Sequence, residues 1–116
     1  MASHFVQGTS GNDILLGSLA KAQAEGIKAC IYTHPLGYHG HGAGPTIGLW
    51  DAQQGVPGRG DYELFADTCH SMELNVKCTV PEWDDQEVTM ALEQDVMFIG
   101  DTVHFLCGRQ TKLFLI

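Results

Sequence analysis

Three of the chain's six histidines fall within eight residues. His34, His39 and His41 lie in the segment 32–45, where glycines separate them. Glycine lets the backbone approach a ligand closely, and histidine is the commonest metal ligand in proteins. The segment therefore predicts a binding site, and its histidines make a metal ion one candidate ligand. A glycine-rich turn with incidental imidazoles has the same sequence pattern.

Two glutamates further along the chain are predicted to face each other across a hairpin. From Ser71 onward, apolar and polar residues alternate as in a half-buried strand, and a second apolar run extends from 88 to 98. The polar cluster at 81–85 predicts the connecting loop. A five-residue loop pairs Val80 with Gln86, and stepping back along the ladder then pairs Glu73 with Glu93.

Two opposed carboxylates on one sheet face need a positive charge to offset their repulsion. Like charges directly opposite each other destabilise an antiparallel pair, whereas a divalent cation that binds both turns the repulsion into ligation. A neutral imidazole from His39 or His41 would complete a nitrogen and oxygen ligand set with Glu73 and Glu93 that suits manganese, cobalt, zinc or iron. The alternative is that both glutamates lie on a solvated sheet face.

The remaining sequence predicts an α+β fold, with a curved antiparallel sheet packed on helices and a single domain over 1–116. Ser10 is a helix-capping residue and Gly26 a terminating one, which predicts a helix over 11–25. Further predicted elements are a strand over 27–33, a long surface loop over 50–68, and strands over 103–106 and 112–116.

Composition narrows the classes of partner. Six Lys and Arg against 14 Asp and Glu give a formal charge of -8, which argues against nucleic acid and against an anionic membrane surface. The four cysteines form no C-x-x-C pair, so reduced thiols are expected. The sequence offers no targeting segment, which leaves its compartment unknown and cytoplasmic by default, and a truncated parent protein is compatible with its start.

The motifs, taken in order, resemble the metallopeptidase family that includes methionine aminopeptidase, Xaa-Pro aminopeptidase, prolidase and creatinase. In that family a H-G-x-G segment supplies a metal histidine, and I-E-x and I-E-D-D-V strands each supply a bridging glutamate. Segments 39–42 and 41–44 both fit the first motif, 72–75 fits the second and 92–96 the third. Segment 8–14 resembles the G-x-T-G-x-E-I helix start, so the likeness is to the carboxy-terminal half of the pita-bread fold.

This resemblance implies a peptidase that removes an N-terminal residue, with a preference before proline, through a two-metal site and a bridging water. It implies that Glu73 and Glu93 are metal ligands, that Glu73 or a neighbour moves the proton, and that His34 contacts the substrate or an intermediate. His39, slightly favoured over His41, would be the metal histidine.

Two departures from the family pattern imply little or no activity for the chain alone. The family's second active-site histidine would fall at Thr46 or Gly48, and the two aspartate ligands come from an earlier hairpin that this sequence does not contain. The expectation is therefore a portion of a metal-dependent hydrolase, which the upstream half of the same domain would complete.

Two other readings of the same residues stay open. In one, the glycine-rich segment and the 50–68 loop form a non-catalytic module that binds a peptide or a protein without metal. In the other, His39, Glu73 and Glu93 alone hold a single catalytic metal. Because an absent half would leave apolar sheet surface exposed, a homodimer is also predicted.

Overall fold

A six-stranded antiparallel sheet and one α-helix form the fold in the computed structural model, which describes residues 1–115. The chain is thus α+β, as predicted. The helix α1 spans Gly11–Ala24, and the strands are β1 (Lys28–Ile31), β2 (His34–Gly37), β3 (Gly40–His41), β4 (Thr68–Val80), β5 (Gln86–Ile99) and β6 (Thr102–Phe105). The sheet order is β3-β2-β4-β5-β6, and β1 also pairs with β4.

The helix begins at the predicted residue and ends at Ala24, one residue before the predicted end. The Ser10 side chain accepts a hydrogen bond from the Asp13 N–H at 3.1 Å, which satisfies one free donor of the first turn. Gly26, with φ 73°, provides the left-handed conformation that follows the last turn. Ile14 and Leu15 are fully buried, so this face of α1 packs on the sheet.

The core lies between α1 and one face of the sheet, at the end of β4 and β5 that is remote from their connecting turn. It consists of nine buried apolar residues from the helix, the strands and the connecting loops: Phe5, Ile14, Leu15, Ile31, Ile47, Leu64, Met72, Val96 and Phe98. Nearer the β4–β5 turn the same sheet face is only partly covered: Met90 and Leu92 are 41% and 44% exposed there.

The long β4–β5 hairpin has the predicted register. Val80 pairs with Gln86, and Glu73 pairs with Glu93. The connection is a short 3-10 helix, Pro81–Trp83, followed by Asp84 and Asp85 in the left-handed region, where aspartate is better tolerated than most residues. The polar cluster at 81–85 is therefore the hairpin turn.

Three predicted segments differ from the structure. The strand predicted over 27–33 ends at Ile31, because the side chain of Thr33 takes over hydrogen bonds to β4. The segment 50–68 is a loop only to residue 67, and it is anchored in the core by buried Val56 and Leu64. The strand predicted over 112–116 is absent from residues 112–115, where no neighbouring strand pairs with the chain, and Ile116 lies outside the described residues.

None of the helices in residues 1–115 has the length and hydrophobicity needed to cross a membrane. The four cysteines are free thiols, as predicted.

Candidate functional site

Thr33 fixes the backbone of Glu73. Its Oγ1 accepts a hydrogen bond from the Glu73 N–H and donates one to the Glu73 carbonyl, both at 3.0 Å, and the Tyr32 N–H donates to the same carbonyl at 3.1 Å. The N–H and C=O of Glu73 therefore point away from β5. This makes Glu73 and Glu93 a non-hydrogen-bonded pair, the position where Cα atoms approach to about 4.5 Å and side chains lie closest.

His34 binds the carboxylate of Glu73. Its Nε2 lies 2.9 Å from Glu73 Oε1, and its Nδ1 lies 2.9 Å from the Pro35 carbonyl oxygen. A carbonyl oxygen only accepts hydrogen bonds, so the Pro35 carbonyl orients the ring through Nδ1. The two side chains, 17% and 24% exposed, form a hydrogen-bonded dyad.

Glu93 has a weaker local partner. The Ser71 hydroxyl, nearly buried beside it, donates to Glu93 Oε1 at 3.2 Å. Since Ser71 and Glu73 are two residues apart on β4, they lie on the same face, and His34 pairs with Ser71 in the neighbouring strand. One sheet face thus carries the imidazole, the hydroxyl and both carboxylates.

His41 and His39 have different surroundings. The β2–β3 hairpin pairs Leu36 with His41, and the His41 ring stacks on His34 with ring centroids 4.0 Å apart. His39, at the hairpin tip, is exposed and packs edge-on against Tyr38. Of the two candidate metal histidines, His41 is therefore the one that the structure places beside the dyad.

The glycines of this segment serve the hairpin itself. A Cβ on Gly37 would lie 2.8 Å from the His41 carbonyl oxygen, and one on Gly42 would lie 2.7 Å from the Leu36 carbonyl oxygen. Real Cβ atoms do not approach backbone so closely. The glycines thus allow two chain segments to pack, which is a structural role that the sequence pattern did not distinguish from ligand approach.

A groove of about 770 Å³ opens above the dyad. His34, His41 and Glu73 form part of its wall, and other residues of 32–49 and of the 50–68 loop complete it. Four aromatic and two charged side chains are among them: Tyr32, Trp50, Arg59, Tyr62, Glu63 and Phe65. Trp50, Tyr62 and Phe65 are 74%, 62% and 57% exposed. The sequence indicated a functional loop here but gave no periodicity from which to choose these side chains.

His70 lies behind the dyad, on the core face of the sheet. It is fully buried, packs edge-on against Phe5 at 5.3 Å between ring centroids, and its Nε2 is 3.2 Å from Thr68 Oγ1. Burial, with a smaller effect from the charge of His34, lowers the pKa of His70 to about 4. This imidazole is therefore neutral near pH 7 and belongs to the core.

The predicted ligands do not meet at one point. The structure brings Glu73 opposite Glu93 and His34 against Glu73, but within residues 1–115 no three His, Cys, Asp or Glu side chains are arranged to hold a metal ion. The present side-chain positions thus offer part of a coordination sphere.

Comparisons with family models, curated proteins and solved structures found no match for this chain.

Proposed function

We propose that this chain is the carboxy-terminal portion of a metal-dependent, aminopeptidase-like or Xaa-Pro dipeptidase-like hydrolase with a pita-bread type of sheet. The observation that supports the proposal is the Glu73–Glu93 pair, two carboxylates opposed at the closest position of a β-ladder with an imidazole hydrogen-bonded to one of them. Two carboxylates opposed across a ladder repel each other, and His34 binds only one of them, so the pair favours ligand binding over a purely structural role.

In this proposal Glu73, Glu93 and either His41 or His39 would hold the divalent metal. The mixed carboxylate and imidazole donors suit manganese, cobalt, zinc or iron. The metal, when bound, would supply an activated water. Further ligands would come from the upstream half of the domain, so hydrolysis of a peptide substrate is expected only after that half is supplied.

His34 and Glu73 are the residues of this chain that would handle a proton. The contact between His34 Nε2 and Glu73 Oε1 lies on the wall of the groove, where it would face a bound peptide. The Pro35 carbonyl accepts from the other ring nitrogen and so orients the imidazole. His34 therefore holds and returns a proton at Nε2 in this scheme.

Metal uptake tests the proposal. Chelator-stripped protein would be titrated with Mn²⁺ by calorimetry, with elemental analysis of the product. About one bound ion, lost in Glu73→Gln and in Glu93→Gln, is the expected result. Glu63→Gln is the matched control, because Glu63 is a carboxylate that lines the same groove outside the pair. No uptake by the wild type, or equal uptake by all three variants, would overturn the proposal.

A metal-free binding module is the second candidate, and the exposed aromatic side chains of the groove favour it. Trp50, Tyr62 and Phe65 offer rigid contact area for a peptide, as aromatic residues do at many interfaces. Removing the repulsion by Glu93→Gln should then leave peptide binding unchanged and stability equal or higher.

A peptide titration in EDTA separates the two candidates. The probe is the tripeptide Ala-Pro-Ala, followed by tryptophan fluorescence and calorimetry. The binding module predicts an affinity that survives EDTA and is lost in Trp50→Ala. Trp83→Ala is the control, since Trp83 is 59% exposed at the β4–β5 turn, outside the groove. Binding that requires Mn²⁺ would instead favour the hydrolase.

A further inference from the structure

A second cavity, of about 590 Å³, lies on the core face of the sheet, opposite the face that carries the dyad. Its floor is apolar and consists of Met72, Leu74, Met90, Leu92 and Phe105. Leu74 pairs with Leu92, and side chains two residues apart on a strand share a face, so the aliphatic residues lie side by side. The volume is within the range of about 300–1,000 Å³ that small-molecule sites have.

The carboxy-terminal segment forms one wall of this cavity. The Gln94 side chain donates to the Gly108 carbonyl at 3.3 Å, which holds the segment beside β5. Residues 109–113 then line the cavity, and Met90 and Leu92 on the floor stay partly exposed. The cavity is therefore open to solvent on one side, while its floor continues into the hydrophobic core.

Two cationic side chains, Arg109 and Lys112, border the apolar floor. The Arg109 guanidinium lies over the Phe105 ring, 5.8 Å from its centroid, and this contact holds the charge beside the floor. Within residues 1–115 neither cation forms an ion pair with a carboxylate, whereas the three other lysines of the chain do. Both charges are thus available to a ligand.

One acidic residue, Glu93, also borders the cavity. Its side chain lies on the dyad face, however, where the Ser71 hydroxyl donates to Oε1 at 3.2 Å. The charged side chains that a ligand would meet are therefore Arg109 and Lys112. In a chain of net charge -8, two cations beside an apolar cavity complement a ligand with an apolar body and an anionic group.

We propose that this cavity binds an alkyl carboxylate, with the hydrocarbon chain on the apolar floor and the carboxylate at Arg109 and Lys112. A guanidinium matches the geometry of a carboxylate and donates two parallel hydrogen bonds to it. Unbranched methionines such as Met72 and Met90 adapt to a flexible chain. Because the site lies on the other face of the sheet, it does not depend on metal binding at the dyad.

Calorimetric titration of the full chain with sodium decanoate, below its micelle concentration, tests both ends of the ligand. One decanoate should bind per chain. Decyl alcohol, with the same chain and no charge, should bind about 10-fold more weakly, because the charge-assisted hydrogen bonds are lost. Octanoate, two methylenes shorter, should bind up to about 15-fold more weakly. No decanoate binding up to about 1 mM, or equal affinities for decanoate and decyl alcohol, would overturn the proposal.

Two pairs of matched variants test where decanoate binds. Arg109→Gln should weaken binding about 10-fold, whereas Arg59→Gln, which removes the same charge from the groove above the dyad, should not. Leu92→Gln should also weaken binding, and Ile99→Gln is its control, because Ile99 lies on the same strand, is 42% exposed and is outside the cavity.

All four side chains are exposed, so the fold should persist in each variant, and circular dichroism checks this. Equal decanoate affinities within each pair would place the ligand elsewhere and contradict the proposal. Sedimentation of the wild type and Leu92→Gln tests the other occupant. A dimer that binds no decanoate and that Leu92→Gln dissociates would show that the cavity receives a second copy of the chain instead.

Discussion

Lowering the pH should destabilise this protein through His70. The ring is fully buried, and its Nε2–H donates to Thr68 Oγ1, because the Thr68 hydroxyl donates its own hydrogen to the Phe65 carbonyl. Nδ1 therefore has no hydrogen, and no hydrogen-bond partner among the described residues. Protonation would place a charge there without a partner, which burial makes costly.

The magnitude follows from the pKa. Burial lowers the pKa of His70 from 6.5 to about 4. Between these values the unfolded chain binds a proton that the folded chain does not, so the stabilisation is fully present above pH 6.5 and is lost as the pH falls toward 4. One pKa unit corresponds to about 1.4 kcal/mol, so His70 accounts for a loss of about 3 kcal/mol in unfolding free energy.

Urea unfolding, monitored by circular dichroism at half-unit steps from pH 7.5 to 4, measures this loss. The carboxylates and His4, whose pKa burial also lowers, titrate in both proteins, so the difference between wild type and His70→Phe isolates His70. The variant should lose about 3 kcal/mol less over the window. His70→Leu is a second variant and the exposed His104→Gln the control. A pH profile identical in the wild type and both His70 variants would refute the reasoning.

Two further substitutions test how the loops are fixed. Gly48→Ala should cost more than about 2 kcal/mol in urea unfolding, since its φ is 74° and a Cβ would meet the Ile31 carbonyl, while Gly8→Ala, with φ 82° and open space, should cost only about 1 kcal/mol. Equal costs would contradict the steric argument. Asn12→Ala should cost about 1–3 kcal/mol and speed hydrogen exchange at Val56, because Asn12 Oδ1 accepts from the Val56 N–H at 2.7 Å. Unchanged exchange would show that other contacts hold the loop.

The β4–β5 register was predictable because one face of each strand is apolar. Slipping the pairing by one residue would have moved Leu74 and Val76 away from Leu92 and Met90, so the pattern and the loop length together specify the ladder. The end of β1 was not predictable in this way. It depends on the Thr33 side chain, whose hydrogen bonds to β4 are long-range contacts that leave no local pattern.

The positions of the carboxylates in the candidate site could be predicted from the sequence, whereas the positions of its histidines could not. Glu73 and Glu93 face each other because the strand register pairs them. Which imidazole approaches them depends on the β2–β3 hairpin, whose tight turn places His41 against His34 and turns His39 to solvent. The aromatic wall was also missed, because the loop that carries Trp50 is positioned by tertiary contacts rather than by periodicity.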